Sequence, residues 1–180
     1  MYVPGYFHSI SNKLKASLNF NRLYMKKGVN KVSTTQDKQL SDMKISEVLI
    51  PAEKVAHVQL NNPLEHALLV LMKSGYAAVP VLDATYKFAG IIGKTVILNE
   101  VLGIESFEME RLSEIRVMDA MAANVPTLTR ENSLLDGLNA SIDHPFVCIV
   151  DKDGYFDGIL TRRAILKQVK KDIYMNAYKK

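Results

Sequence analysis

The chain has 180 residues, 48% of them hydrophobic and 23% charged, with a formal net charge of +4. That length can bury a core in one domain or in two small ones, and no run approaches the roughly 18 apolar residues of a membrane span, which reads as a soluble protein. A single cysteine, Cys148, excludes an internal disulfide and suits a reducing cytoplasm.

The charge is unevenly placed. Residues 1–43 hold seven Lys/Arg against two Asp/Glu, whereas the rest of the chain holds 16 against 17. The body is therefore close to neutral and lacks the basic face that nucleic-acid binding calls for. The leader carries Tyr2, Tyr6, Phe7, Phe20 and Tyr24 without a sustained period, and it lacks the continuous apolar stretch of a secretory signal. Lys13 to Lys27 could form a short basic amphipathic helix suited to weak membrane-surface contact. The expectation favoured here is a disordered tail, or upstream sequence with Met25 or Met43 as the working initiator.

Order is predicted from Lys44. Ile45 to Leu49 reads as a short helical turn ending before Pro51, and Val55 to Leu60 as an extended segment of alternating polarity. Asn62 is placed to cap a helix, with Pro63 in its first position and Glu65 completing a capping box. Leu64, Ala67, Leu68, Leu71 and Met72 then fall on one apolar stripe, and Gly75 ends it. Ala77 to Leu82 is a strand, residues 83–87 a turn and Phe88 to Ile92 a second strand. A helix from about Lys94 to Leu102 follows, with Ile97, Leu98, Val101 and Leu102 inward. The order is β-α-β-β-α.

An acidic connecting segment, 103–116 and expected to be helical, leads into the same order again. Val117 to Met121 matches Ile45 to Leu49, and Pro126 to Thr129 is a short strand. Asn132 is placed as the cap of a helix carrying Leu134, Leu135, Leu138 and Ile142. Phe146 to Val150 and Tyr155 to Leu160 are the paired strands. Asp83 to Asp151 and Gly90 to Gly158 are both 68 residues apart, which marks an internal duplication. The fold class is therefore α/β (α+β), with repeats over 44–102 and 117–171 and a C-terminal tail over 172–180.

The second repeat closes on Gly158-Ile159-Leu160-Thr161-Arg162-Arg163-Ala164-Ile165-Leu166-Lys167, a strand running directly into a helix. Thr161 stands where an N-cap hydroxyl belongs, with Ile165, Leu166, Val169 and Ile173 forming an apolar face. Two arginines follow the cap at once, where the helix dipole disfavours cations by roughly 0.3–1 kcal/mol each. Such a start suits a bound anion, phosphate above all. The alternative is that both guanidinium groups are solvated or paired with carboxylates.

Other chemistry is thin. His57, His66 and His144 lack metal-ligand spacing, and no phosphate-cradling Gly-rich loop is present. Cys148, inside an apolar strand, reads as a core residue rather than a nucleophile. No nucleophile–base pair is visible, so the chain is not read as an enzyme, and no metal or cofactor is expected.

A tandem β-α-β-β-α unit with a Gly-hydrophobic-hydrophobic-Thr step before its last helix resembles the CBS domain pair, or Bateman module. The resemblance covers Lys44 to about Lys171. It implies two repeats packed across a pseudo-two-fold axis, clefts that commonly hold adenine nucleotides, and a homodimeric disc. Lys54-Val55-Ala56-His57-Val58, Leu64-Glu65-His66-Ala67-Leu68-Leu69-Val70-Leu71, Gly75-Tyr76 and Thr161-Arg162-Arg163 are similar to small stand-alone bacterial CBS-pair proteins that bind cyclic di-AMP. By that resemblance Lys54, Arg162 and Arg163 meet phosphates. Val55, the backbone at Ala56, His57, Tyr76, Ala77, Ala78, Val79 and Thr161 complete the site.

Repeats that bind mononucleotides usually carry an acidic residue three positions after the Thr, where it holds ribose hydroxyls. Here that residue is Ala164, while Gly93 and Val96 occupy the corresponding positions of the first repeat. A ligand relying on a free ribose diol is handicapped, whereas cyclic di-AMP has its 3′ oxygens tied up in phosphodiesters. The resemblance thus implies a non-catalytic cytoplasmic receptor for the second messenger cyclic di-AMP, signalling to a bifunctional (p)ppGpp synthetase/hydrolase and to pyruvate carboxylase. The alternatives are an AMP/ATP sensor, a structural dimer with empty clefts, and an enzyme acting through His57 or Cys148.

Overall fold

Short runs of aliphatic and β-branched residues alternate with helices along the chain, and the structure folds them into two small sheets backed by helices. It is a computed structural model and describes residues 41–102 and 108–177. The leader expected as a disordered tail, with its alternative helix over Lys13 to Lys27, and residues 103–107 of the connecting segment lie outside the described residues.

A 3-10 turn over Ile45–Glu47 leads to strand β1 (Ile50–Pro51), a second 3-10 turn over Ala52–Lys54 and strand β2 (Val58–Gln59). Helix α1 (Leu64–Ser74), strands β3 (Ala78–Leu82) and β4 (Phe88–Gly93) and helix α2 (Lys94–Glu100) complete the first repeat. Two short helices, α3 (Arg111–Glu114) and α4 (Val117–Ala120), lead to strand β5 (Thr127–Leu128) and helix α5 (Leu134–Ala140). Strands β6 (Phe146–Val150) and β7 (Phe156–Thr161) run directly into helix α6 (Arg162–Ala177). That helix continues six residues past Lys171, where the sequence reading ended the second repeat.

One sheet has the order β2-β3-β4 and the other β1-β7-β6-β5. In each, the short leading strand is parallel to the next, with Val58 opposite Val81 and Leu128 opposite Ile149, and the hairpin that follows is antiparallel. The 68-residue register puts Val81 over Ile149, so Val55, Ala56 and His57 correspond in space to Val125, Pro126 and Thr127. Each hairpin shifts register at the same place, after Val81 and after Ile149.

The repeats exchange their leading segments. Strand β1, in the leading part of the first repeat, pairs with β7 of the second, and Ala122, in the leading part of the second repeat, bridges Ile91 in β4 of the first. Ile45 accordingly packs with Leu134, Ile149, Leu160 and Ile165, whereas Val117 packs with Leu64, Leu71, Val79, Ile92 and Ile97. Two glycines permit the exchange. A Cβ on Gly158, whose φ is +145°, would meet the carbonyl oxygen of Ile50 far inside van der Waals contact, and one on Gly90 would meet that of Ala122.

The hairpins meet at the pseudo-two-fold axis. Phe88 N–H donates to the Gly154 carbonyl at 3.0 Å, Phe156 N–H donates to that of Tyr86 at 3.1 Å, and the two phenyl rings stack with centroids 6.4 Å apart. Val55, Leu82, Cys148, Phe156 and Ile159 form a third apolar cluster there, between the two repeat cores.

The helices depart from the sequence reading at their caps and outer stripes. Asn62 and Asn132 are not caps: their side-chain oxygens accept from Gln59 N and Thr129 N at 2.8 Å, closing the turns ahead. Pro63 and Ser133 hold the cap positions. Ser133 forms a capping box with Asp136, whereas Pro63 and Glu65 form none. Leu64, Ala67 and Leu71 are buried as expected, but Met72 is 64% exposed, as are Leu98 (41%), Leu102 (54%), Ile142 (67%), Leu166 (64%) and Ile173 (47%). Each α/β layer covers only one face of its helices, so the second apolar row of each stripe is left on the outside of the chain.

Candidate functional site

The strand-to-helix joint at Thr161 has the predicted geometry. Thr161 Oγ1 accepts from Ala164 N at 3.2 Å, which makes it the N-cap of the 16-residue helix α6. The joint is tied to the strand entry beside it, because Arg162 N–H donates to the Pro145 carbonyl at 3.3 Å. Its counterpart repeats the bond, with Lys94 N–H donating to the Ala77 carbonyl at 3.0 Å, although Gly93 supplies no hydroxyl there.

A cavity of about 130 Å³ opens beside this joint, between the two repeats. Val55, Ala56, Tyr76, Ala77, Ala78 and Pro80 line it from the first repeat, and Pro145, Phe146, Ile159 and Thr161 from the second. Ala77 and Ala78 leave room where their counterparts, Pro145 and Phe146, carry bulk. No lining residue is charged. The cavity suits a flat apolar body with a polar group directed at Thr161, and it is smaller than the 300–1,000 Å³ usual for whole ligands.

Six of the eleven residues assigned from sequence line this cavity: Val55, Ala56, Tyr76, Ala77, Ala78 and Thr161. Val79 does not. It points the opposite way from the strand, is fully buried, and belongs to the core of the first repeat. Lys54 is exposed in the turn before Val55, and His57 stands half-buried with Nδ1 3.2 Å from the Val55 carbonyl oxygen.

The two arginines part company. Arg162 folds back over helix α5, its Nε and Nη2 donating to the carbonyls of Ser141 and Ile142 at 2.7 and 2.9 Å. It thereby satisfies carbonyls at the C-terminal end of that helix, a favourable place for a cation. Arg163 is exposed, and among the described residues its side chain makes no hydrogen bond or ion pair.

Pro80, Pro145, Phe146 and Ile159 line the cavity but were not picked out from sequence. The 68-residue register carried the signal, because Pro145 and Phe146 are the counterparts of Ala77 and Ala78.

Burial pushes the Cys148 thiol up to about 12, which keeps it protonated and non-nucleophilic near neutrality. Among the described residues, no group of three or more His, Cys, Asp or Glu could hold a metal ion, and no helix is long and apolar enough to cross a membrane.

The CBS domain family matches residues 45–103 and 114–171. Cyclic di-AMP receptor B of Bacillus subtilis is 43% identical over 138 residues, which are 77% of this chain and 94% of that protein. A solved CBS domain-containing protein of unknown function from Bacillus anthracis is 51% identical with a TM-score of 0.70, covering 74% of this chain and 97% of its own. CbpB of Listeria monocytogenes, solved in complex with c-di-AMP, is 47% identical with a TM-score of 0.67, covering 72% of this chain and 97% of its own. Two matched repeats, exchanging their leading segments about a pseudo-two-fold and enclosing a cleft between them, make this chain a CBS-domain-pair protein of the CBS domain family.

Proposed function

We propose that this protein is a receptor for cyclic di-AMP, a regulatory rather than catalytic protein whose ligand state controls its binding to target proteins. The observation that carries the reading is the joint at Thr161. There an uncharged, base-sized cavity meets the start of a 16-residue helix, with Arg163 unengaged beside it. Tyr76, Ala77, Ala78 and the backbone at Ala56 enclose an adenine, and the helix start with Arg163 and Lys54 receives phosphate. The similar proteins named or solved with this ligand support the assignment. No carboxylate lines the cavity to hold a ribose diol, which favours a cyclic dinucleotide over AMP or ATP.

Residues 44–102 and 117–171 form the two halves of the receptor, joined by 103–116, with a leader over 1–43. The protein acts in the cytoplasm as a homodimer. The exposed Leu69, Met72, Leu98 and Leu102 of the first repeat and Ile142 and Leu166 of the second supply apolar surface for the partner copy. Its targets are a (p)ppGpp synthetase/hydrolase and pyruvate carboxylase. Calorimetric titration with cyclic di-AMP, AMP and ATP tests the reading. Heat with cyclic di-AMP alone is the expected result. Heat only with AMP or ATP would make the protein an energy sensor, and silence with all three a structural dimer.

A further inference from the structure

The two hairpin turns are built alike. Asp83 Oδ1 accepts from Thr85 N and Lys87 N at 2.7 and 2.9 Å, and Asp151 Oδ1 accepts from Asp153 N and Tyr155 N at 2.9 and 2.8 Å. Each turn places the residue three after its Asp in the left-handed region. The second repeat uses Gly154 there, at φ +86°, where glycine carries no steric penalty. The first uses Tyr86 at φ +65°, the one non-glycine residue with positive φ among those described. A bulky side chain in that region is strained.

Core packing does not account for the tyrosine, since its side chain is 57% exposed. Its ring instead meets the His57 ring edge-on, with centroids 6.1 Å apart. His57 Nδ1 lies 3.2 Å from the Val55 carbonyl oxygen, and Val55 and Ala56 line the cavity. The second repeat offers an internal comparison. The counterparts of His57 and Tyr86 are Thr127 and Gly154, so the ring pair and the strain occur together in the repeat whose leading segment forms the cavity wall.

We propose that Tyr86 is a positioning residue for the candidate site: its ring pins His57, and His57 holds the Val55–Ala56 wall against the cavity. Strained backbone is retained at functional positions when the surrounding structure fixes it, and the Asp83 turn fixes it here. The consequence for ligand affinity rests on the receptor reading above, whereas the consequence for the wall itself does not.

The test compares the full chain with Y86G, Y86F and H57A. Three readouts are taken: amide hydrogen exchange at Val55, Val58 and Leu60, whose amides are hydrogen-bonded in and around the wall, the melting temperature, and cyclic di-AMP affinity. In Y86G the glycine relieves the turn, so the melting temperature holds or rises while exchange at these three amides quickens several-fold. Cyclic di-AMP affinity falls by up to about tenfold, the scale of one aromatic contact. H57A repeats the exchange and affinity effects, and Y86F, which keeps the ring, behaves as the parent.

Unchanged exchange at Val55, Val58 and Leu60 in both Y86G and H57A overturns the proposal. So does a fall in melting temperature with faster exchange throughout the chain, which would make Tyr86 an ordinary structural residue. Faster local exchange with unaltered affinity severs the wall from the ligand and overturns the positioning role. Should the parent protein bind no cyclic di-AMP, the receptor reading fails and the exchange arm alone decides whether Tyr86 holds the wall.

Discussion

The amide of Leu64 donates to the carbonyl of Ile115 at 2.9 Å, so the first helix of one repeat begins on a bond to the segment leading into the other. Its mate is the bond from Leu134 N–H to the Met43 carbonyl at 2.8 Å. A second pair accompanies it, Val117 N–H to Asn62 and Ile45 N–H to Asn132, at 2.9 and 3.0 Å. These bonds satisfy helix-terminal amides that would otherwise be orphaned, and each crosses between repeats. Neither repeat therefore closes its own core. One cooperative unfolding transition follows, with calorimetric and van't Hoff enthalpies that agree; two separable transitions would contradict it.

The exchange also makes two glycines unequal in their demands. Gly75 ends α1 at φ +72° with nothing within 4 Å of a would-be Cβ, so Gly75→Ala meets only the left-handed backbone, worth about 1–2 kcal/mol. Gly158→Ala adds a backbone clash with Ile50 to a strained φ and forces β1 off the sheet. It should cost more than about 4 kcal/mol, in the range reserved for broken architecture. Denaturant midpoints rank the two. Equal losses would mean that β1 can lift away cheaply.

Much of this arrangement was legible in the sequence, because duplication leaves arithmetic. The spacing from Asp83 to Asp151 and from Gly90 to Gly158 located both hairpins, but not the close backbone approaches at the two glycines. What the spacing did not carry was the exchange. Its bonds are backbone to backbone, and backbone groups are the same at every position. The caps were misread for a related reason. Asn62 and Asn132 are good cap residues whose side chains bond backward to Gln59 and Thr129 instead. At the site, the sequence placed a cap hydroxyl and two arginines at a helix start, but periodicity alone could not tell that Arg162 bonds to carbonyls at the end of α5 while Arg163 stays exposed.

Ser133 has two partners, Asp136 N and the Asp136 carboxylate. Ser133→Ala should cost about 1 kcal/mol. Hydrogen bonds from the Ser133 hydroxyl and backbone hold the Asp136 carboxyl below its ordinary 3.8. The sign follows from the depressed folded value. This carboxylate contributes stability above pH 3.8, and the contribution is lost as pH falls through the lower folded value. The parent should therefore lose more stability than the Ser133→Ala variant between pH 5 and 3, as read from urea midpoints. Parallel pH curves would remove the hydroxyl as the cause.

Cys148 acts at the other end of the scale. Burial raises its thiol from 9.0 to about 12, so the folded state keeps a proton that the unfolded state releases. Its contribution is full below pH 9 and declines as pH rises from 9 toward 12. Cys148→Ser or Cys148→Ala removes that dependence. In the native protein at pH 8 a thiol reagent should react only as fast as the chain opens. Rapid labelling that leaves the fold intact would place the thiol nearer solvent than its 2% exposure allows.

The two neighbouring arginines give the sharpest division between structure and recognition. Arg162 caps the carbonyls of Ser141 and Ile142, so Arg162→Ala should lower stability by about 1.5–3 kcal/mol, the range for hydrogen bonds to charged groups. Arg163 makes no such bond and stands at the start of a helix, where a cation is unfavourable without an anion. Arg163→Ala should leave the melting temperature unchanged or slightly raised. Its loss should appear in cyclic di-AMP affinity, by about 1.5–3 kcal/mol or roughly 10- to 150-fold. Arg163→Lys keeps the charge but not the paired donors, so it should recover only part of the affinity. Melting curves and calorimetric titrations on the three variants separate the roles. An Arg163→Ala protein with unchanged affinity and reduced stability would reverse the assignment, making the exposed arginine structural and leaving the phosphate to Lys54 and the amides at the start of α6.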